Sequence, residues 1–322
     1  MTIEVKELRK RFGEVEALRG VSLNVQPGEL FGFLGPNGAG KTTTINLLTG
    51  LAKPDSGTIR IAGVECTENP KPAQHLIGVV PDESNLYPEL TGFENLCFCA
   101  SLYAMRKNER RSRARELLDM FGLADAGGRK FEGYSKGMKR RLTIAAGIIH
   151  RPPILFLDEP TTGIDVASAR HIRQLIDRLH RGGTTIFLTT HYIEEAERLC
   201  NRIAFIVAGR IVQIDTIANL MQPIQERYKV LISVSDSGTA ICRDLALAFF
   251  PLDFQEVSSG QIRVESENPI RVGPLVRFLE EKGIEVAEAR KVQPSLEDVF
   301  VKITGIEADV MRKEKEKKGG GV

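Results

Sequence analysis

The chain has 322 residues, 42% of them hydrophobic, enough for a real core and too many for a disordered protein. Its length predicts about two domains, and 44 Lys and Arg against 42 Asp and Glu leave a net charge of +2. That balance lacks the basic excess of nucleic-acid binders, so no nucleic-acid partner is expected.

From the N-terminus, MTIEVKELRKRF has no apolar stretch of the kind a secretory signal needs, and no later run approaches the ~18 apolar residues that span a bilayer. Five scattered cysteines, Cys66, Cys97, Cys99, Cys200 and Cys242, read as reduced thiols of a soluble cytosolic protein. The Cys97-x-Cys99 pair lacks the second ligand pair of a zinc site.

Over residues 1–220, short apolar strands alternate with helical patterns, which predicts an α/β domain with a largely parallel sheet. The expected strands cover residues 29–34, 77–80, 154–157, 185–189 and 202–207. Between about 91 and 150 the pattern is wholly helical. Thr91 and Glu94 have capping-box spacing, and Ala114, Leu117, Leu118 and Phe121 recur on one helix face. A boundary is expected at Met221-Gln222-Pro223. Beyond it, residues 225–305 predict a β-α-β-β-α-β order, a smaller α+β module of ferredoxin-like type. Ser295 and Asp298 repeat the capping-box spacing before a last helix, and residues 306–322 read as a charged, flexible tail.

Four stretches carry chemistry. Gly35-Pro36-Asn37-Gly38-Ala39-Gly40-Lys41-Thr42 fits G-x-x-x-x-G-K-[ST] directly after an apolar strand. Its glycines let backbone N–H groups converge on phosphate oxygens, and the helix starting near Lys41 adds its positive end. Lys41 would reach the β- and γ-phosphates of a nucleotide and the Thr42 hydroxyl would ligate Mg²⁺, with Thr43 in the same nucleotide-binding turn. In Gly78-Val79-Val80-Pro81-Asp82-Glu83, a strand stops at Pro81 and two acids follow. Tyr134-Ser135-Lys136-Gly137-Met138 opens a helix whose stripe is Met138, Leu142, Ala145, Ala146 and Ile149, so Ser135 reads as an N-cap and a second anion-ready helix start. Ile154-Leu155-Phe156-Leu157-Asp158-Glu159 ends an apolar strand in two acids. Asp158 is placed to hold Mg²⁺ through water, and Glu159 has the chemistry to take a proton from an attacking water.

With these motifs in this order, residues 5–217 resemble the ATP-binding subunits of ABC transporters, in which YSKGM corresponds to the LSGGQ-type signature. The resemblance implies an α/β P-loop NTPase with an ABC-type helical insertion at about 91–150. It implies ATP and Mg²⁺ as ligands and a head-to-tail dimer, a homodimer or a heterodimer with a second ATPase subunit. In that dimer Ser135 and Gly137 of one subunit face the γ-phosphate held by Lys41 of the other. It further implies that Phe12 stacks on adenine, that Asp165 is the acid coupling the two sites, and that His191 contacts the γ-phosphate. Asp82 stands where most of the family has a glutamine. Two readings stay open there: Asp82 ligates Mg²⁺ directly or through one water, or it caps the turn after Pro81. Glu83 is expected to face solvent or a permease.

The segment Pro294-Ser295-Leu296-Glu297-Asp298-Val299-Phe300 is similar to the C-terminal extension of ABC-2-type exporter ATPases. The function so implied is an ATPase that powers export through a separate integral-membrane permease, held at the cytoplasmic face of the membrane by that permease. The alternatives are an ABC ATPase acting on ribosomes, DNA or cofactor assembly, and a regulatory binder without turnover.

Overall fold

The computed structural model describes residues 2–225, 228–235, 239–292 and 295–306. The expected tail lies outside them beyond residue 306. The chain divides into two compact units: one holds the described residues up to Ile217 together with those from Ile303 onward, and the other is Ala218–Lys302.

The first unit opens with β1 (Ile3–Phe12) and β2 (Val15–Val25), a hairpin turning at Gly13-Glu14. Next come β3 (Leu30–Leu34), α1 (Lys41–Leu48), β4 (Ser56–Ile61), β5 (Val64–Glu65), α2 (Lys71–Gln74) and β6 (Ile77–Val80). The helical insertion is α3 (Gly92–Leu102), α4 (Lys107–Met120) and α5 (Lys136–Gly147). The unit continues with β7 (Ile154–Asp158), α6 (Val166–Arg181), β8 (Thr185–Thr190), α7 (Ile193–Leu199), β9 (Arg202–Val207) and β10 (Arg210–Thr216).

A six-stranded sheet in the order β10-β9-β3-β8-β7-β6 is the frame of this unit, parallel throughout except for β10. Strands β3, β7 and β8 are buried along their whole length, which is why they read as unbroken apolar runs. Phe31, Phe187 and Phe156 share one register row across β3, β8 and β7, with ring centroids 5.6 Å apart in each neighbouring pair. Each such buried ring contributes roughly 1.5–3 kcal/mol. This core fixes the relative height of the strand ends that carry the motifs.

The expected capping box is formed: the Thr91 side chain accepts from the Glu94 N–H while Glu94 reaches back to the Thr91 N–H. Two elements were not anticipated from the sequence. One is the antiparallel sheet β2-β1-β4-β5, and the other is the edge strand β10. In β1 the alternation is broken by register shifts between Val5 and Leu8, where Glu7 adopts a positive φ of 50°. Such a bulge erases the two-residue period that marks a strand.

The boundary expected at Met221-Gln222-Pro223 lies inside α8 (Ile217–Gln225). The second unit then runs β11 (Tyr228–Val234), α9 (Thr239–Ala248), β12 (Asp253–Ser258), β13 (Gln261–Ser266), α10 (Val272–Glu281) and β14 (Val286–Val292). Its sheet order is β12-β13-β11-β14 with every neighbour antiparallel, the ferredoxin-like arrangement. Val230, Ile232, Ile262 and Val264 face Leu245 of α9 and Leu275 and Leu279 of α10. The last helix, α11 (Leu296–Thr304), starts at the expected Ser295–Asp298 pair, with Asp298 accepting from the Ser295 N–H at 2.9 Å. Among the described residues no helix is long and apolar enough to cross a membrane.

Candidate functional site

Parallel pairing brings four loops to one edge of the six-stranded sheet. Leu34 is level with Thr190, Thr189 with Asp158, and Leu157 with Val80. The next residues along each chain are therefore Gly35, His191, Glu159 and Pro81, the starts of four predicted motifs. This is the edge at which parallel sheets bind ligands.

The phosphate loop runs from β3 into α1. A Cβ on Gly35 would lie 2.1 Å from the Ile206 carbonyl oxygen, and Gly40 caps the helix at φ 108°, so neither position tolerates a side chain. Ala39 is buried, while Asn37, Gly38, Gly40, Lys41, Thr42 and Thr43 line a cavity of about 530 Å³. The Lys41 ammonium donates to the carbonyls of Gly35 at 2.8 Å and Pro36 at 3.2 Å.

Opposite it stands Glu159, whose Oε1 is 3.2 Å from Lys41 Nζ; both side chains are 6% exposed. Glu159 Oε2 accepts from His191 Nδ1 at 2.5 Å and from the Thr162 hydroxyl at 2.6 Å. A carboxylate can only accept, so Nδ1 carries the proton. Burial, the largest influence on Glu159, pushes its pKa up. The His191 hydrogen bond, the Lys41 charge, His191 and Thr162 outweigh that together and bring it down to about 2. Glu159 also holds a positive φ of 49°, rare for a side chain of this size and the kind of strain that gathers at functional sites.

Asp158 is 3% exposed and its Oδ1 accepts from the Thr189 hydroxyl at 2.5 Å. It does not line the cavity, whereas Asp82 does, alongside Thr42 and Glu159. Phe12 is 53% exposed at the hairpin end of β1 and lines the same cavity with Val15 and Ala17. An exposed aromatic ring on the wall of a cavity lined by the phosphate loop offers a stacking surface for a planar base.

Ser135, Gly137 and Asp165 do not line this cavity. They gather at the starts of α5 and α6. Ser135 caps α5 by accepting from the Met138 N–H at 3.3 Å. Asp165 caps α6 through the Ser168 N–H at 2.9 Å, a bond that holds its carboxyl below the usual range. A Cβ on Gly137 would meet Ser168 Oγ at 2.2 Å, so glycine is required there for the two helices to touch. Sequence reasoning missed Thr162 and Arg140. Thr162 directly follows Glu159-Pro160-Thr161, and Arg140 lies one turn beyond Gly137 on the same helix face, which is the signal each carried.

A family model described as "ABC transporter" matches residues 18–162. The linearmycin resistance ATP-binding protein LnrL of Bacillus subtilis (strain 168) is 39% identical over 238 residues, 74% of this chain and 76% of that one. The daunorubicin resistance ATP-binding protein DrrA2 of Streptomyces coeruleorubidus is 37% identical over 308 residues, 94% of this chain and 95% of its relative. Among solved structures, the dimeric post-hydrolysis state of the ATP-binding cassette MJ0796 bound to ADP and Pi matches with a TM-score of 0.62 and 31% identity, over 67% of this chain and 98% of that one. With a phosphate loop facing a buried carboxylate across one cavity, and with relatives matched over nearly the whole length, the chain belongs to the ATP-binding subunits of ABC transporters, within the ABC-2-type exporter ATPases.

Proposed function

We propose that this chain hydrolyses ATP at the cavity between Lys41 and Glu159 and uses the energy to drive export through a separate integral-membrane permease. The observation that supports the hydrolytic reading most is the convergence of Lys41, Glu159 and His191 on one buried point. In this reading Lys41 and the loop amides bind the phosphates, Phe12 stacks on adenine, and Glu159 accepts a proton from the attacking water. Oε2 is occupied by His191 and Thr162, so Oε1 is the atom that takes that proton. When phosphate oxygens draw Lys41 away, Oε1 loses its cation and gains basicity. His191 keeps the carboxylate oriented through Nδ1–H, and an Nε2–H would be its donor to the γ-phosphate.

The donors fit Mg²⁺, a hard cation that takes few carboxylates together with substrate phosphates and water. Thr42 and Asp82 supply oxygen atoms on the cavity wall, while Asp158 is buried at the end of β7. The ion would neutralise charge developing on the phosphates. The same donor set favours the ligand role of Asp82 over the turn-capping one.

Placing Ser135, Gly137 and Asp165 outside the cavity of their own chain supports a head-to-tail dimer in which they meet the partner's nucleotide. The permease contact is assigned to the exposed apolar patch of Tyr87, Phe98, Leu102 and Tyr103. Asn95 of α3 joins this patch to the segment after β6, accepting from the Tyr87 N–H at 2.9 Å and donating to its carbonyl at 3.0 Å. The protein would then sit at the cytoplasmic face of the membrane, and its relatives make a toxic small molecule a candidate cargo. Crosslinking in cells followed by purification is expected to recover one integral-membrane protein, and Phe98→Asp with Leu102→Asp to lose it. Recovery of ribosomes or DNA without a membrane protein would favour a non-transport ATPase.

A further inference from the structure

Arg140 is the one arginine of α5 whose guanidinium is drawn into the strand-end loops, and it is only 7% exposed. Its Nε donates to the Pro160 carbonyl at 2.9 Å, and Nη2 donates to the Asp158 carbonyl at 2.5 Å. Nη1 donates to the carbonyls of Pro81 and, at 3.0 Å, Asp82. One side chain thus gathers four carbonyls from two separate strand ends, those of β6 and β7. Burial pulls its pKa down, yet Asp82, Asp158, Glu195 and Glu159 surround it with negative charge, so the guanidinium stays charged. Thr143, one turn further along α5, adds a fifth tie through its hydroxyl, 2.8 Å from Ser84 Oγ.

We infer that Arg140 is a positioning residue that clamps the backbone of Pro81–Asp82 to that of Asp158–Pro160 and holds both to the helix begun by Ser135 and Gly137. Any shift of that helix start moves the carbonyls beside Asp82 and Glu159 with it. A signal at the Ser135 end therefore reaches the acids of the same chain's own cavity. The inference rests on the proposed reading that Ser135 and Gly137 meet the partner's nucleotide. Only a planar fork with donors pointing three ways can hold four acceptors at once; an ammonium on a single nitrogen cannot.

The test uses the full chain with Arg140→Ala, Arg140→Lys and Arg140→Gln. Thermal melting, ATP KM and kcat are measured, with hydrogen exchange of the amides in residues 81–84 and 158–162. Lysine is expected to recover most of the stability lost in Arg140→Ala, because it keeps the stem packing and the charge. It is expected not to recover kcat, which falls about tenfold or more as the acids lose alignment, while ATP KM stays close to wild type. Both segments are expected to exchange faster in Arg140→Lys than in wild type. Unchanged exchange in both segments overturns the clamp, whatever the hydrolysis rate. So does a folded Arg140→Lys with wild-type kcat, or a kcat loss that only follows the loss of folded protein. A wild-type chain without ATPase activity would refute the proposed function instead, and the exchange comparison would still decide the clamp.

Discussion

At the scale of single residues, Glu159 carries two opposing demands. As the proposed base it must be charged and oriented, yet free enough of cations to accept a proton. Its pKa of about 2, against an ordinary 4.5, means that the ionised form is favoured by folding. The stabilisation is fully present above pH 4.5 and is lost as pH falls toward 2, a contribution on the order of 3 kcal/mol. Denaturation of wild type and Glu159→Gln side by side is expected to show the wild-type advantage shrinking as pH falls below 4.5. A gap that widens on acidification would contradict the assignment. Phe12 makes a different kind of prediction, because its exposed ring supports little of the fold. Phe12→Ala is expected to raise the KM for ATP about tenfold, equivalent to ~1.4 kcal/mol, with melting unchanged. Equal KM values in the two proteins would remove Phe12 from the adenine site.

At the scale of elements, the starts of α5 and α6 pack with no room for a side chain at Gly137. Gly137→Ala drives a methyl to 2.2 Å from Ser168 Oγ, an overpacking that is expected to cost about 1–3 kcal/mol. Adding Ser168→Gly is expected to restore most of that stability, which calorimetry on the single and double variants would check. If Gly137→Ala melts like wild type, the helices do not meet there. The capping residues Thr91, Ser135 and Ser295 were legible because a cap is a local event written within four residues. The parallel strands were equally plain, since burial on both faces leaves continuous apolar runs. By contrast, β1 and β2 place charged residues outward and break their period at bulges, so the sheet that carries Phe12 left no clear trace. Arg140 could be placed near Gly137 by its helical spacing, but its role could not be read. Its partners are carbonyls, which every residue has, so no side-chain pattern announces them.

At the scale of the molecule, parallel register lines up four strand ends so that motifs scattered from Gly35 to His191 meet at one edge. The order of the motifs made that convergence readable before any coordinate, whereas the pairing of Lys41 with Glu159 required the folded sheet. If two chains share the γ-phosphate contacts as proposed, the chain is expected to dimerise when hydrolysis is blocked. Glu159→Gln with ATP is therefore expected to migrate at twice the 35.6 kDa of one chain, and Ser135→Arg to abolish the dimer. A Glu159→Gln chain that binds ATP but stays monomeric would argue against shared sites. The central claim, that Glu159 is the base of an ATP-hydrolysing cavity, is tested most directly by ATP turnover in wild type and Glu159→Gln, with nucleotide binding measured on the same samples. Comparable binding is expected, with turnover reduced by about 10²–10⁴-fold in the variant. A variant that binds ATP and hydrolyses it at the wild-type rate would contradict that claim.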